Sequence, residues 1–431
     1  LIYNLNMEHT LYNLTKTLRS LFSNKINKIT HKKSGLNSKD IFNKTHANNL
    51  ISQLTSSQNL ELAFCEYCKN NLNKGDSHLV WDFKKNWESN KINIRQDLLQ
   101  SKFLLAPLTK YSIEGESYGS WEPASWIVLH ALKQVLEPYL KLKMDLTYAS
   151  HLKDYGGLKG GVEKAQKLIK KNKFVYKTDI KSFYDSINHH ILIEQLSEHI
   201  SDQRILDLIL QYCERCEVIN AEHILKKHKS IPRGCPISPL MGAVYLNSID
   251  LFAKSSNLNY IRYMDDFVFF TNSRFKLRWV IKEVYSILDK LKLKLALDKT
   301  YIGNISDGKG FDFLGYHIRR SGVVISKTSF ANMAVNISRL YEQHASPERM
   351  EEYLKNWQRW AKAKVGLLFD PIVFRSLSNK SLKKCLKKDF SEQLSDKRRL
   401  QTKLKFKIKH KNSTPTSYPK ISVCNGRLFF G

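Results

Sequence analysis

The sequence lacks any apolar run that approaches the roughly 18 residues needed to cross a membrane. It also lacks a compact basic amphipathic anchor, an internal repeat and a low-complexity tract. With 42% hydrophobic residues over 431 positions, the chain can still bury roughly two or three cores of ordinary domain size. The sequence therefore predicts a folded protein without a membrane partner.

Acidic residues are scarce, since 40 Asp and Glu stand against 70 Lys and Arg, giving a formal charge of +30. That excess is far larger than solubility requires and indicates a polyanionic partner, for which nucleic acid is favoured. From Ser381 to Gly431 the chain has 14 basic and 3 acidic residues. This predicts a basic C-terminal segment that holds nucleic acid through its phosphates, with a solvated tail as the alternative.

The chain has seven cysteines, an odd number, and no secretory h-region is recognisable in it. We therefore expect reduced thiols in a cytoplasmic protein. Cys65 and Cys68, and likewise Cys213 and Cys216, have the spacing of a zinc half-site, but helical and core thiols are the preferred interpretation. The amino end is only superficially like a mitochondrial presequence, because arginine is almost absent from it. A basic amphipathic helix is predicted there instead.

Two adjacent carboxylates, Asp265 and Asp266, lie between aromatic runs in Arg262-Tyr-Met-Asp-Asp-Phe-Val-Phe-Phe270. β-Forming residues on both sides of a tight Met-Asp-Asp corner predict a hairpin with the carboxylates at its tip. Because successive strand residues point to opposite faces, we do not expect both side chains to aim at one ion, and one is the better metal ligand. A simple Asx turn is the alternative interpretation.

A further aspartate ends the apolar run Phe174-Val-Tyr-Lys-Thr-Asp179. Carboxylates at two strand ends can share metal ions, and hard oxygen ligands suit Mg²⁺, with Mn²⁺ as the alternative. Phosphoryl transfer to a 3′ hydroxyl uses two divalent cations about 4 Å apart. The three aspartates therefore predict a metal-dependent phosphoryl-transfer site.

The segment Ile231-Pro-Arg-Gly-Cys-Pro-Ile-Ser-Pro-Leu240 predicts a rigid loop that enters a helix, with Ser238 as the N-cap and Pro239 as the first helical residue. The small Gly234 and Ser238 would let a nucleotide or template approach the backbone, and a plain turn is the alternative. A second, glycine-rich loop is predicted from Tyr155 to Gly161, before a helix that begins at Val162.

The order of these elements resembles the palm of reverse transcriptases. Lys177-Thr-Asp-Ile-Lys-Ser-Phe-Tyr-Asp-Ser-Ile187 is similar to the first palm motif of the group II intron and retron lineage, and the stretch from Pro232 to Asp250 to the second. Leu295-Ala-Leu-Asp-Lys-Thr300 and Phe313-Leu-Gly-Tyr316 are similar to the two motifs that follow. The likeness covers residues 103–320 and is greatest for the stand-alone bacterial reverse transcriptases associated with phage defence.

The resemblance implies an α+β right-hand polymerase with fingers and palm (antiparallel sheet plus helices), a helical thumb and a helical N-terminal extension. The expected boundaries are 1–100 for the helical N-terminal extension, 101–172 for the fingers, 173–325 for the palm with its catalytic triad, 326–375 for the helical thumb and 376–431 for the basic C-terminal segment.

The resemblance also implies roles for single residues. Tyr184 falls on the family's sugar gate, where a bulky ring would clash with a ribose 2′ hydroxyl and favour deoxynucleotides. Lys299 would protonate the departing pyrophosphate, with an ordinary surface lysine as the alternative. The catalytic metal triad would be Asp179, Asp265 and Asp266, with the carbonyl of Ile180 nearby. The other expected contacts are Arg233, Gly234 and Lys110 with the nucleotide, and Phe313, Leu314, Gly315 and Tyr316 as the primer grip.

The sequence departs from the family pattern at several points. Arg233 stands where the family loop usually carries Gln, and the fingers segment from Glu116 to Pro123 lacks the usual Arg before Pro, which leaves Lys110 as the triphosphate contact. Asn220-Ala-Glu-His223 is one residue short of the retron Asn-Ala-x-x-His element, and the retron Val-Thr-Gly is absent. Intron-encoded maturases usually have a longer maturase region and often an endonuclease, for which no Cys/His pattern is present.

The function expected from these features is that of an RNA-directed DNA polymerase, a nucleotidyltransferase that copies a dedicated non-coding RNA into complementary DNA in antiphage defence. Its expected partners are the RNA template, dNTPs and the complementary DNA product. A maturase-like RNA-binding scaffold is one alternative, although a scaffold has no use for clustered carboxylates beside polyanionic RNA. Template-independent or protein-primed DNA synthesis on the same palm is the other.

Overall fold

The structure is a computed structural model of the chain. It describes residues 50–71, 78–113, 116–219, 223–226, 229–305 and 308–361, and the two short strands Ile421–Cys424 and Arg427–Phe430. The amphipathic helix expected at the amino end, the end of the expected thumb and most of the basic C-terminal segment lie outside the described residues. Among the helices that are described, none is both long and apolar enough to span a lipid bilayer.

The described residues combine helices and strands, which confirms the predicted α+β class. The first elements are α1 (Ser57–Asn70), α2 (His78–Lys85), α3 (Trp87–Leu99), β1 (Leu108–Ile113), β2 (Glu116–Ser120), α4 (Pro123–Lys143) and α5 (Gly157–Lys171). The central elements are β3 (Phe174–Thr178), α6 (Phe183–Ser186), α7 (His189–Ser197), α8 (Gln203–Cys213), β4 (Cys216–Ile219), β5 (His223–Lys226), α9 (Ser238–Tyr245), α10 (Asn247–Ser255), β6 (Asn259–Tyr263), β7 (Asp266–Thr271), α11 (Arg274–Lys290) and the 3₁₀ turn Leu297–Lys299. The last are β8 (Tyr301–Asn304), β9 (Phe311–Phe313), β10 (Tyr316–Arg319), β11 (Gly322–Ile325), α12 (Lys327–Glu342), α13 (Pro347–Ala361), β12 (Ile421–Cys424) and β13 (Arg427–Phe430).

The chain divides into two compact units, each assembled from separate stretches of sequence. The first comprises Leu1–Gly157, Lys177–Phe269 and Arg274–Thr300, and the second comprises Leu158–Tyr176, Phe270–Ser273 and Tyr301–Gly431. The five expected domain boundaries stay predictions.

Helix α4 is a central buried helix of the first unit. Its apolar residues recur at helical spacing, and Ile127 and Leu132 are completely buried. Helix α1 packs against it, and the side-chain amide of Asn59 donates a hydrogen bond of 3.2 Å to the Ala131 carbonyl. The helices that precede the first sheet therefore share a core with α4.

Strands β1, β2, β4 and β5 form a four-stranded sheet in the order β2-β1-β4-β5. Strand β1 pairs antiparallel with β2 and parallel with β4, so that Lys110 lies opposite Ile219. The fully buried Glu217 needs compensating charge, because an isolated ion in the interior is costly. Arg215 and Lys110 supply it, with nitrogens 2.7 and 3.0 Å from its carboxylate oxygens.

A second four-stranded sheet has the order β6-β7-β3-β8. Only Met264 and Asp265 separate β6 from β7, and a two-residue connection makes the pair an antiparallel hairpin. Along β7, the residues from Phe267 to Phe270 alternate between the two faces of the sheet, and each is at most 1% exposed. The strand is therefore buried on both faces, which explains why its sequence is a continuous apolar run.

A buried ion pair between Arg262 and Asp250 supports this hairpin. Nε of Arg262 donates a hydrogen bond of 2.8 Å to Asp250 Oδ1, Nη2 donates to Asp250 Oδ2, and the Tyr260 hydroxyl donates to Oδ1 over 3.0 Å. Burial alone would lower the pKa of Arg262, but the Asp250 carboxylate outweighs it and raises this pKa. The guanidinium therefore stays charged and ties strand β6 to helix α10.

Two local predictions were wrong. Helix α5 begins at Gly157, so the last glycines of the expected loop are helical. A Cβ at Gly161 would lie 3.2 Å from Leu314 Cδ1, so this glycine serves close packing and not a turn. Helix α9 begins at Ser238 with Ile237 as its N-cap, because the Ser238 hydroxyl is engaged 2.6 Å from the Tyr212 hydroxyl and does not cap the helix.

In the second unit, strands β9, β10 and β11 form an antiparallel sheet in the order β11-β10-β9. Leu314 and Gly315 join β9 to β10, and both have positive φ, +50° and +83°, as a type I′ hairpin turn requires. A Cβ at Gly315 would lie 2.7 Å from the Trp360 ring of α13. The Ser329 hydroxyl of α12 donates a 2.8 Å hydrogen bond to the Gly315 carbonyl, so both helices of the expected thumb contact this turn.

We expect Asp250→Ala to lower the free energy of unfolding by about 3–5 kcal/mol, because it leaves the Arg262 charge buried without its partner. Urea denaturation at pH 7 measures the change. The matched control is Glu351→Ala, which removes the exposed ion pair with Lys355 and should have little effect. Equal effects of the two substitutions would contradict a structural role for the buried pair.

Candidate active site

Asp265 lies in the turn between β6 and β7, and Asp266 is the first residue of β7. The preceding Met264 has a φ of +57°, a conformation that costs a non-glycine residue about 1–3 kcal/mol. Its N–H donates a 3.0 Å hydrogen bond to His151 Nδ1, and its carbonyl accepts one of 3.2 Å from Arg262 Nη1. Both backbone groups of Met264 are thus engaged, so the turn that carries Asp265 is fixed.

His151 joins this turn to helix α9. Burial lowers the pKa of His151 to about 4, so the imidazole is neutral at pH 7. Because Nδ1 accepts from Met264, the proton lies on Nε2, which donates over 3.1 Å to the Pro239 carbonyl. One side chain therefore links the predicted hairpin tip to the first turn of the predicted loop-helix element.

Asp179 follows strand β3 and is held by the segment before the 3₁₀ turn. The Ala296 N–H donates to the Asp179 carbonyl over 2.8 Å, and the Lys181 N–H donates to the Lys294 carbonyl over 2.8 Å. Ile180 lies between these two bonds, opposite Leu295. Neither of these two hydrogen bonds involves the Ile180 carbonyl, so they leave it available for its predicted role as a metal ligand.

The carboxylate of Asp179 has two partners of its own. Its Oδ1 accepts a 3.0 Å hydrogen bond from the Ile180 N–H, and its Oδ2 accepts one of 2.6 Å from Lys299 Nζ. The hydrogen bond to Asp179 raises the pKa of Lys299. Lys299 is therefore protonated, as a proton donor must be, although a raised pKa makes the ammonium a weaker acid.

The three aspartates form a partly buried cluster of like charge. Burial and the Asp179 carboxyl, which lies within hydrogen-bonding reach, raise the pKa of Asp265. Burial also raises the pKa of Asp266 to about 6, against the attraction of Lys177, whose Nζ lies 3.4 Å from Asp266 Oδ1. Raised pKa values show that the ionised cluster is unfavourable without added positive charge.

This donor set fits a hard divalent cation such as Mg²⁺, which is bound by carboxylates and usually keeps several waters. Asp179 and Asp265 would hold it, whereas Asp266 is paired with Lys177. Over the part of the chain that the structure describes, no three His, Cys, Asp or Glu side chains converge as one metal site. The expectation that Asp265 and Asp266 would not both aim at one ion stays a prediction.

Tyr184, in helix α6, lies beside the turn. Its hydroxyl donates to Met264 Sδ over 3.6 Å, and burial, with the Asp265 charge as a smaller cause, raises the pKa of Tyr184 to about 12. A Cβ at Gly242 would lie 3.0 Å from the Phe183 ring and 3.6 Å from the Tyr184 ring. A glycine in α9 therefore makes room for Phe183, the neighbour of the predicted sugar gate.

Arg233 and Gly234 lie in a loop that is tied to the Tyr184 segment. The Ile231 N–H donates a 2.9 Å hydrogen bond to the Tyr184 carbonyl, and Arg233 Nη2 donates one of 3.1 Å to the exposed Asp185. Gly234 has a φ of +77°, but a Cβ there would meet nothing within 4 Å. The loop thus needs glycine for its backbone conformation and is open on that side.

The other predicted site residues have structural partners of their own. Lys110 pairs with the buried Glu217 within the sheet of β1, β2, β4 and β5. In the second unit, Phe313 and Tyr316 are at most 1% exposed, and the Tyr316 hydroxyl donates to the Trp360 carbonyl over 2.9 Å. Their side chains belong to the core of that unit. Only the turn Leu314–Gly315 is partly exposed, so the primer-grip prediction rests on this turn.

Sequence reasoning missed Lys177 and His151. Lys177 lies two residues before Asp179 in a predicted strand, so strand alternation already placed both on one face. His151 had no local signal, because it lies in the irregular segment between α4 and α5 and its partners are 88 and 113 residues away in sequence.

We expect His151→Ala to destabilise the protein most at pH 7 and progressively less as the pH falls. The pKa of His151 in the folded protein, about 4, lies below the ordinary value of 6.5, so the unfolded chain binds the proton more readily between these values. As the pH falls from 6.5 to 4, the free energy of unfolding of the wild type decreases by up to about 3 kcal/mol through this group, whereas that of the variant does not. Denaturant unfolding at several pH values measures the difference.

The control for this pH series is Leu142→Ala, which removes an exposed apolar side chain and no titratable group, so its difference from the wild type should not depend on pH. A His151→Ala difference that stays constant from pH 7 to 4.5 would contradict the neutral, hydrogen-bonded imidazole.

Residues 124–318 match the family model described as reverse transcriptase (RNA-dependent DNA polymerase). The match includes Asp179, Tyr184, Arg233 and both aspartates of the hairpin. It ends at Ile318 in β10, so it also includes the turn Leu314–Gly315.

Curated relatives cover only parts of this chain. Protein YkfC of Escherichia coli (strain K12) is 25% identical over 269 residues, which is 53% of this chain and 61% of that protein. The putative COX1/OXI3 intron 2 protein of Saccharomyces cerevisiae is 23% identical over 194 residues, 43% of this chain and 22% of that protein. The chain thus spans less than two thirds of the length of either relative.

Two solved structures are similar to this chain at low TM-scores. Apo telomerase from Candida Tropicalis truncated from its C-terminal domain has a TM-score of 0.39 at 15% identity, covering 56% of this chain and 60% of that one. The partial Cas6-RT-Cas1--Cas2 complex has a TM-score of 0.36 at 19% identity, covering 56% and 42%. The mixed helix-and-sheet fold agrees with the expected fingers and palm, and residues 124–318 are similar to the reverse transcriptase family.

Proposed function

We propose that this chain is an RNA-directed DNA polymerase that copies a dedicated non-coding RNA into complementary DNA, in the cytoplasm and in antiphage defence. The observation that carries the polymerase activity is the approach of Asp179 and Asp265 in a partly buried site, next to the ring of Tyr184. Nucleotidyl transfer requires such a cluster, whereas a binding surface for RNA would avoid it.

Asp179 and Asp265, with the Ile180 carbonyl, are the residues that would hold the metal, and Mg²⁺ is the expected ion, with Mn²⁺ as the alternative. When bound, two such ions would activate the primer 3′ hydroxyl and stabilise charge on the leaving pyrophosphate. Lys299, already protonated beside Asp179, is the candidate proton donor to that pyrophosphate. Lys177 holds Asp266 and balances part of the charge of the cluster.

The preference for deoxynucleotides is assigned to Tyr184. Its hydroxyl contacts the Met264 sulfur and its ring lies near Gly242 of helix α9, so the ring is positioned beside the turn that carries Asp265. Arg233 and Gly234, in the loop tied to Tyr184, are the candidate contacts with the incoming nucleotide, and the turn Leu314–Gly315 is the candidate contact with the primer. Lys110 would reach a triphosphate only by sharing or leaving its pairing with Glu217.

The dedicated RNA and the defence role have a different basis. They rest on the likeness of the palm motifs to the stand-alone, defence-associated reverse transcriptases, and the formal charge of +30 supports an RNA partner. The two CxxC pairs have no assigned part in this function.

A second candidate is an RNA-binding scaffold related to intron-encoded proteins. The observation that favours it is the 23% identity with the putative COX1/OXI3 intron 2 protein. In a scaffold, the three aspartates would be dispensable, which separates the two candidates experimentally.

We expect Asp265→Asn to abolish DNA synthesis, by about 10²-fold or more, because it removes one of the two charges that would hold the metal. Purified wild type and variant are compared on a primed RNA template with dNTPs and Mg²⁺. Both proteins are also recovered from the native host, and their bound RNA and DNA are sequenced. DNA complementary to one enriched RNA should accompany the wild type alone.

The matched control is Asp289→Asn, which removes an exposed carboxylate from helix α11 and should leave synthesis unchanged. The same enriched RNA with both proteins, and no complementary DNA with either, would favour the scaffold. DNA covalently linked to the protein would favour protein-primed synthesis.

We expect Tyr184→Val to raise ribonucleotide incorporation relative to deoxynucleotide incorporation by about 10- to 100-fold, because the smaller side chain admits a 2′ hydroxyl. Single-nucleotide extension with paired dNTP and NTP substrates measures the ratio. Tyr184→Phe keeps the ring and loses only the contact with the Met264 sulfur, so it should retain discrimination. An unchanged ratio in Tyr184→Val would refute the gate.

A further inference from the structure

Helix α11 exposes aromatic side chains on its outer face. Its inner face is buried in the core through Leu277, Val280, Ile281, Val284 and Leu288. On the outer face, Phe275 is 82% exposed, Trp279 37% and Tyr285 40%. Single exposed apolar residues are common on proteins and need no explanation. Three rings between residues 275 and 285 of one helix, each more than a third exposed, are more than scattered single residues.

Basic residues alternate with these rings. Arg278 follows Phe275 by three positions and Lys282 follows Trp279 by three, so these four side chains share one face of the helix and all are exposed. The whole helix has five basic and two acidic residues. We refer to Phe275, Arg278, Trp279 and Lys282 as the α11 stripe.

The α11 stripe is anchored to the core through a series of rings. The Trp279 ring lies 5.4 Å from that of Phe252 in α10, which lies 6.5 Å from that of Phe269 in β7. Trp279 is therefore held in place before any partner binds, which lowers the entropy cost of binding. An aromatic residue that is both fixed and partly exposed is suited to stacking.

The α11 stripe begins away from the carboxylates. Strand β7 runs from Asp266 to Thr271, about 17 Å at the usual rise per strand residue, and α11 starts three residues later. The first turns of α11, which carry Phe275 and Trp279, thus start from the end of β7 that is remote from Asp266. A ligand on the stripe need not occupy the active site.

Planar rings interleaved with cations match one class of partner, a single strand of nucleic acid. Bases stack on aromatic side chains while phosphates pair with Arg and Lys, and both contacts tolerate any sequence. A duplex offers its phosphates but keeps its base faces stacked within the helix. A second copy of this chain, with its formal charge of +30, would bring cations against cations. A membrane-bound helix turns its apolar face to lipid, whereas α11 uses that face in the core.

We propose that the α11 stripe binds single-stranded RNA outside the active site. The choice of RNA over DNA rests on the proposed function, in which complementary DNA is paired with its template while other parts of the RNA stay unpaired. The stacking surface itself does not depend on that function. The stripe would keep unpaired template RNA on the protein during synthesis.

The test measures binding of a labelled 20-nucleotide oligo(U) RNA to the full chain by fluorescence anisotropy, at several salt concentrations. Phe275→Ala should weaken binding about five-fold or more, because one base loses its stacking partner. The loss should persist near 0.3 M salt, where phosphate contacts made elsewhere by this basic chain are suppressed. Affinity for a duplex RNA of equal length should not change.

Matched controls separate stacking from general effects. Leu142→Ala removes another exposed apolar side chain, 86% exposed, and should leave binding unchanged. Lys282→Ala should reduce the slope of log affinity against log salt by about 0.7, while Lys290→Ala, on the same helix beyond the last aromatic residue, should not. Because Phe275 is 82% exposed, its variant should fold, and thermal unfolding checks this.

Several results would overturn the proposal. One is that Phe275→Ala binds oligo(U) with the same affinity as Leu142→Ala. Another is that Phe275→Ala loses as much affinity for duplex RNA as for oligo(U). Stronger binding of oligo(dT) than of oligo(U), lost in Phe275→Ala, would overturn the choice of RNA. If Phe275→Ala lost binding to anionic lipid vesicles but kept its affinity for RNA, the stripe would be a membrane-binding surface instead.

The outcome is independent of the polymerase activity. Phe275→Ala should extend a short, fully annealed primer on RNA at the wild-type rate. If the wild type makes no DNA but Phe275→Ala still loses RNA affinity, the proposed function fails and the stripe stands. If synthesis is normal and affinity is unchanged, the stripe fails and the proposed function stands.

Discussion

Repulsion among three carboxylates is the constraint on which the rest of the candidate active site depends. Asp179, Asp265 and Asp266 are held close together and partly out of water, where the ionised forms oppose one another. Lys299 on Asp179 and Lys177 on Asp266 supply two positive charges, and Asp265 is the member without a lysine partner among these contacts. A cation beside Asp179 and Asp265 would therefore reduce the repulsion among the carboxylates. Without a cation, the contacts of the fold must supply the energy that keeps the three side chains together.

That energy comes from contacts behind the hairpin. Met264 adopts a left-handed conformation that its side chain does not favour, and His151 and Arg262 hold its two backbone groups. The two residues differ in charge. Burial keeps His151 neutral, so it adds no charge near the carboxylates, whereas Arg262 remains charged but is neutralised by Asp250. The turn is thus fixed by groups that do not compete with a metal for the aspartates, which is the rigid support that a preorganised site requires.

Sequence reasoning succeeded where local pattern and chemistry coincide. The hairpin of Asp265 followed from β-forming runs around a two-residue corner, and the site of Asp179 followed from a strand that ends in a carboxylate. It failed where distant parts of the chain decide the outcome. Gly161 looked like part of a loop, but it lies in a helix, and Leu314, 153 positions later, packs 3.2 Å from where its Cβ would be. Ser238 looked like an N-cap, but its hydroxyl is engaged by Tyr212. Phe313 and Tyr316 matched a functional motif and their side chains are buried, so the predicted primer grip stays a prediction that rests on the turn Leu314–Gly315.

A site built from carboxylates repels the phosphates of the nucleic acid on which it is proposed to act. The formal charge of +30 compensates for the chain as a whole, but charge alone does not distinguish an unpaired strand from a duplex. Discrimination needs a surface that contacts base faces, and only unpaired bases expose them. On helix α11 the rings of Phe275 and Trp279 alternate with Arg278 and Lys282, at a place that starts from the far end of β7. Strand β7 thus begins at the acidic cluster that suits metal ions and leads into helix α11, whose basic and aromatic stripe suits unpaired RNA. The fully buried apolar residues of β7 separate the two along the chain.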